Sequence, residues 1–160
     1  MRFSTLAKTA GGSIATGVIG GLATRPAVQS SWYRRLRKPS FQPPPAAFPI
    51  VWNLLYADIS GVSATTIDGL EERGDTAAAR AYSRALALNL ALNASWSWVF
   101  FNRRKLGPAA VVAGALAVSS ADLARRAGSV HPAAGAALAA YPLWCGFATV
   151  LSTRIWWLNR

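Results

Sequence analysis

A chain of 160 residues holds one domain. It is 52% apolar, has seven Trp and is only 14% charged, against about 25% charged in soluble domains, which excludes disorder and an ordinary water-soluble fold. The net charge is +11, but the basic residues fall in short clusters between long apolar runs. That is the pattern of loops flanking membrane spans, and no nucleic-acid partner is expected. Cys145 and His131 are the only Cys and His, too few for a disulfide framework, a zinc site or an iron–sulfur site, so no metal or cofactor is expected.

Five segments have the length and low charge of a bilayer span, which takes about 20 residues: 6–24, 46–67, 81–101, 107–124 and 133–157. They predict an all-α integral membrane bundle forming a single domain over 1–160. The first and fourth are rich in Ala and Gly, which suits helices packed inside a bundle, and Gly17-x-x-x-Gly21 offers a close-contact face. A cleaved secretory signal is the alternative reading of the N-terminal stretch.

The loop over 25–45 is basic, aromatic and Pro-rich. Pro39 and the run Pro43, Pro44 and Pro45 remove amide donors and fix φ, so residues 30–45 are not expected to form regular helix. Trp32, Arg35, Lys38, Pro39, Phe41, Pro43 and Pro44 define a stiff lid over the mouth of the bundle, or a membrane-surface anchor.

Asp58 lies near the middle of the second span, where a lone carboxylate costs at least ~2.5 kcal/mol. Arg154 lies at a different depth and is expected to reach toward headgroups rather than pair with it. In the third span, Ala87, Ala91 and Ser95 present small residues at four-residue spacing, a face for a homodimer. Trp156 and Trp157 suit an interfacial belt.

Loop charges orient the bundle. One face carries Arg25, Arg34, Arg35, Arg37, Lys38, Arg103, Arg104, Lys105 and Arg160 with no acidic residue. The other balances seven basic residues against five acidic ones. The positive-inside rule puts the first face in the cytoplasm, with the N-terminus outside and the C-terminus inside. Abundant Ala, with Arg far above Lys, suits a bacterial cell membrane.

Projecting the spans at about 100° per residue gives three stripes. Trp52, Tyr56, Ile59, Ser60 and Ser63 share a face of the second span; Asn89, Asn93, Trp96 and Phe100 of the third; Tyr141, Trp144, Ala148, Leu151 and Ser152 of the fifth. Aromatic faces with a few hydrogen-bonding groups suit a pocket that stacks a large flat ligand and fixes its orientation. The alternative is that Asn89 and Asn93 tie helices together and the Trp residues fill space.

Trp32-Tyr33, Lys38-Pro39-Ser40-Phe41-Gln42-Pro43-Pro44, Phe48-Pro49 and Trp52 resemble the first-loop signature of the TspO/MBR family, the tryptophan-rich sensory proteins and translocator proteins. Asn89-x-x-x-Asn93-x-x-Trp96 with Phe100-Phe101 is similar to its third-helix motif. Tyr141-x-x-Trp144-x-x-x-Ala148-Thr149 and Trp157-Leu158-Asn159 are similar to its fifth. The matches are collinear from about residue 30 to 159. The resemblance implies a five-helix membrane bundle, often a homodimer, that binds porphyrins and other tetrapyrroles, sterols and benzodiazepine-type drugs beneath the first loop. It implies ligand contacts at Trp52, Asn89, Asn93, Tyr141, Trp144 and Ala148, to which the stripes add Tyr56 and Trp96. Thr153 stands where the family's sterol-recognition pattern has Tyr, which argues against sterol binding through that pattern.

A membrane receptor or transport-linked protein for tetrapyrroles is therefore expected. An enzyme degrading porphyrin through Trp52 and Trp144 is a second reading, resting on analogy because no conventional acid–base pair or nucleophile is evident. A structural or assembly role is a third.

Overall fold

The computed structural model describes residues 1–160 as helices without strands. The helices are α1 (Phe3–Val28), α2 (Ser31–Arg35), α3 (Ala47–Glu72), α4 (Thr76–Ser97), α5 (Leu106–Val130), α6 (Pro132–Leu138) and α7 (Ala140–Leu158), with a π-helical turn, Trp98–Asn102, continuing α4. They make five long rods, because α6 and α7 run nearly end to end. Each rod outruns the apolar stretch that predicts it: α3 continues to Glu72 and α5 to Val130, since the polar residues at these ends still have helical propensity. Gly74, at φ +77°, stops α3, and the Asp75 carboxylate caps α4 by accepting from the Ala78 N–H at 2.9 Å.

The fifth span is not one helix. It breaks at Ala139, three residues before Pro142, whose ring displaces the carbonyl of Leu138 and which has no N–H to donate. The lid segment also differs from expectation. Residues 31–35 form one helical turn, capped by the Ser30 hydroxyl accepting from the Tyr33 N–H at 3.2 Å. The first proline of the segment is Pro39, whose clash reaches back only as far as residue 35, so one turn forms before it and the non-helical part is 36–46.

The rods are inside-out in polarity. Ile14, Leu22, Leu54, Leu88, Val118 and Leu143 are among many large apolar residues facing outward, while Thr5, Thr9, Ser13, Ser63, Thr66, Asn89, Asn93 and Ser120 are buried. α5 and the α6–α7 rod are long and apolar enough to cross a membrane. The other three rods have the length, but their buried faces dilute their apolar content. In α1 that face is Thr5, Thr9, Ser13, Thr16, Gly20 and Ala23. Its close contacts run through Gly12, Gly17 and Gly20, whose added Cβ atoms would meet Leu90, Tyr56 and Ser97 at 3.1–3.2 Å; Gly21 meets only Arg25 of its own helix. The packed pair is therefore Gly17-x-x-Gly20, with Gly20 in place of Gly21.

Two contacts seal the end of the bundle away from the lid. Asp68, at the end of α3, is buried and accepts from Thr5 Oγ1 at 2.6 Å, from Arg2 Nε at 3.0 Å and from the Arg2 backbone N–H at the start of α1, while Arg2 also pairs with Glu71. A carboxylate there complements the helix N-terminus. At the α5–α6 hairpin, Gly128 and Gly135 let backbones touch: a Cβ on Gly135 would lie 2.6 Å from Gly128 Cα.

Gly135→Val is expected to lower the unfolding midpoint by roughly 5 °C or more, because the clash is with backbone and overpacking costs ~1–3 kcal/mol or more. Circular dichroism of the detergent-solubilised protein measures it, and an unchanged midpoint refutes the contact. For Asp68, burial alone raises the carboxyl, but the Thr5 and Arg2 hydrogen bonds outweigh it and hold the group at about 2. The folded value lies below the ordinary ~3.9, so the ionised group stabilises the fold above about pH 4, and that contribution fades as pH falls toward 2. With solvent screening around exposed Arg2, Asp68→Asn is expected to cost about 2–4 °C at pH 7. Thermal melts across pH should show the gap to the parent closing between about pH 4 and 2.

Candidate ligand-binding site

Beneath the lid, α3, α4, α5 and α7 meet through a directed hydrogen-bond chain. Tyr56 Oη donates to Asn93 Oδ1 at 3.0 Å, and Asn93 Nδ2 donates to Tyr141 Oη at 3.2 Å. Tyr141 Oη donates to Asn89 Oδ1 at 2.7 Å. Asn89 Nδ2 donates to Ser119 and Ser120 Oγ, both at 3.1 Å, and Ser120 Oγ reaches the Leu116 carbonyl at 2.7 Å. Asn89 and Tyr141 are fully buried. The two carboxamides lie one helical turn apart on α4 because their spacing is four residues. Both are interhelical ties. Asn89 has spent both N–H bonds; Asn93 donates only to Tyr141 and keeps a second N–H.

An aromatic ladder climbs from this chain to the lid between α3 and α7. Trp52 stacks on Tyr56 at 5.6 Å and meets Tyr141 edge-on at 6.3 Å. One turn nearer the lid, Phe48 meets Trp144 at 6.0 Å. Trp144 contacts Phe147 at 5.4 Å, and Phe147 meets Phe41 of the lid at 6.3 Å. Each such pair contributes ~0.5–1.5 kcal/mol beyond burial. The Trp144 indole N–H is buried without an acceptor, a donor unspent by the fold. Ala148 is half-buried on α7, next to Phe147.

Trp96 belongs to a second cluster. It stacks on Phe100 at 5.4 Å, and Phe100 meets Trp32 of the lid at 6.2 Å. Its indole N–H is also buried and unpartnered. The π-helical turn carries adjacent Phe100 and Phe101, both buried. Arg104, in left-handed backbone at φ 54°, then sets its guanidinium over Trp32 at 5.4 Å.

The lid residues divide by role. Trp32 and Tyr33 pack on the end of α4, and Lys38 lies over the Tyr33 ring at 3.9 Å. Pro39 is buried and Pro43 half-buried, while Arg35 and Pro44 are exposed. Asn159, just beyond α7, holds the lid: the Arg37 N–H donates to Asn159 Oδ1, and Asn159 Nδ2 donates to the Arg37 carbonyl, both at 2.9 Å. Asp58 is half-buried, with one carboxylate oxygen unpartnered and no ion pair to Arg154 or any other cation.

The stripes do not include Phe48, Phe147, Ser119 or Ser120. Phe48 lies four residues before Trp52, so extending that stripe by one turn finds it; Phe147, three after Trp144, lies within the length of the fifth-span stripe, and widening that stripe finds it. The serines carry no such signal, because the buried face of the fourth span is otherwise Ala, Leu and Val with no aromatic or carboxamide. Ser63, in the second stripe, bonds Tyr82 at 3.2 Å, farther from the lid.

A helical bundle with membrane-capable rods, an apolar exterior and a carboxamide–aromatic interior under a basic lid defines a class of membrane-type receptor folds. The chain matches the profile of the TspO/MBR family over residues 9–158. It is 32% identical to the translocator protein of Ovis aries over 160 residues, covering 98% of this chain and 88% of the relative. It is 30% identical to the tryptophan-rich sensory protein of Cereibacter sphaeroides over 128 residues, covering 80% and 77%. It is 31% identical to the membrane protein YtaB of Bacillus subtilis over 128 residues, covering 80% of each. The chain belongs to the TspO/MBR family.

Tyr141→Phe strips Asn89 Oδ1 of its donor and Asn93 Nδ2 of its acceptor. An unsatisfied buried group costs ~1–3 kcal/mol, so the midpoint is expected to fall by roughly 3–8 °C. A melt indistinguishable from the parent's would mean the chain does not tie the helices.

Proposed function

We propose that the protein is an integral membrane receptor or transport-linked protein that binds tetrapyrroles such as porphyrins between α3, α4 and α7 beneath the lid. All five rods cross the bilayer, with the N-terminus outside a bacterial cell membrane and the basic lid face in the cytoplasm. The outward-facing apolar residues on all five rods support this placement. Beyond Ala87 on α4, Ala91 is exposed and Ser95 half-buried, and this part of the small-residue face provides the homodimer contact.

The observation that carries the reading is the ladder Phe48–Trp144, Trp52–Tyr141 and Trp52–Tyr56, standing on the hydrogen-bond chain. Its faces suit stacking of a flat macrocycle. The unspent N–H bonds of Trp144 and Asn93 suit an acceptor on the ligand, and exposed Arg35 in the lid suits its carboxylates. Trp52, Tyr56, Asn89, Asn93, Trp96, Tyr141, Trp144 and Ala148 form the proposed site, with Trp52 and Trp144 stacking and Asn89 positioning Tyr141.

Quenching of Trp fluorescence by protoporphyrin IX tests this. Trp144→Ala is expected to weaken binding about tenfold, as for a central aromatic anchor. Asn93→Ala is expected to weaken it several-fold, with far-UV circular dichroism unchanged. Parental affinity in both variants removes the site.

A further inference from the structure

A cleft of about 490 Å³ opens toward the other end of the bundle, away from the lid, between the first three turns of α1 and residues 83–90 of α4, with Ile67 and Glu71 of α3 beside them. Its floor includes Gly12, Ala87 and Leu90, and its mouth Ser4, Lys8 and Ser83. Gly12 has no side chain to fill the space, and Leu90 lies 3.1 Å from where its Cβ would be. Arg2, Thr5, Thr9 and Glu71 also line the cleft, so its apolar part is the strip made by Gly12, Leu86, Ala87 and Leu90.

The charges at the mouth are unevenly spent. Glu71 and Asp68 are both engaged by Arg2. Lys8, two turns into α1, is exposed and pairs with no carboxylate, and neither does exposed Arg84 beside Ser83. Ser4 donates to no group in the fold, whereas the Ser83 hydroxyl is committed to the Ala79 carbonyl at 2.9 Å. A free ammonium and a free hydroxyl above an apolar slot complement one anionic oxygen group attached to a hydrocarbon tail.

We propose that this cleft binds an anionic phospholipid of the leaflet bordering the N-terminus. The phosphate sits on Lys8 and Ser4, and one acyl chain lies over Gly12 and Ala87 against Leu90. The proposal rests on α1 and α4 crossing the bilayer and is independent of the tetrapyrrole site. It also accounts for a lysine two turns inside a rod whose outer face is apolar, because the lipid anion supplies the partner that the chain does not.

Native mass spectrometry of the protein in micelles doped with equal phosphatidylglycerol and phosphatidylcholine tests it. The parent is expected to retain phosphatidylglycerol in preference. Lys8→Gln should lower the ratio of the two adducts about fivefold, the effect of one membrane-surface lysine, and Lys8→Arg should keep it. Ala87→Phe, which fills the slot from an exposed position, should reduce retention of phosphatidylglycerol. An unchanged ratio in Lys8→Gln, retention of neither lipid by the parent, or displacement of the lipid by millimolar inorganic phosphate overturns the proposal. So does loss of a dimer together with lipid in Ala87→Phe, which would make the slot a contact between copies. Protoporphyrin quenching in the same samples should be unaffected by Lys8→Gln; its failure in the parent would count against the lid-side site alone.

Discussion

Tyr56, Asn93, Tyr141, Asn89 and Ser120 form one run of hydrogen bonds whose donors all point the same way, from α3 through α4 and α7 to α5. Where the outer surface of a bundle is apolar, burying more apolar surface does little to choose one helix arrangement over another, and directional bonds and close backbone contacts do the selecting. The run works because each member after Tyr56 is used in both senses: Tyr141 accepts from one carboxamide and donates to the next. α1 joins by other means, with Thr9 donating to the Ser60 carbonyl at 2.9 Å and glycines admitting Tyr56 and Leu90.

This economy shapes the proposed site. A carboxamide committed to holding helices has little left for a ligand, and the two differ in this respect: Asn89 is spent, and Asn93 is not. Recognition then falls to the aromatic faces of Trp52 and Trp144 and to a small number of N–H groups. Such a surface discriminates by shape and flatness more than by polar pattern. The lid adds the charge that the interior lacks.

Much of this was legible from residue spacing. Helical periodicity placed Trp52, Tyr56, Asn89, Asn93, Tyr141 and Trp144 on inward faces, because a four-residue repeat keeps side chains in line whatever the helix packs against. Trp96 shares its helix face with Asn93 yet joins another cluster, since it stacks on Phe100 one turn farther along, where the end of the rod packs on Trp32 of the lid. The hydroxyl stripe of α1 shows in the sequence only as small-residue content, because Thr and Ser signal burial only once a partner carbonyl or carboxylate is known. The break at Ala139 was readable from Pro142; the pairing of Arg37 with Asn159 was not, since contacts so far apart in the chain leave no local trace.

That last pairing has a consequence for assembly. The backbone of Arg37 is held by a side chain 122 positions later. During synthesis on the ribosome the lid segment emerges early, can gain its Phe100 and Phe101 contacts once α4 is out, and is fastened at Arg37 only when residue 159 has left the exit tunnel. By then α3, α4, α5 and α7 are all available to pack. The cover over the proposed cavity is thus among the last parts to lock, and a hydrophobic guest has an open entrance for most of the time that the walls are being built.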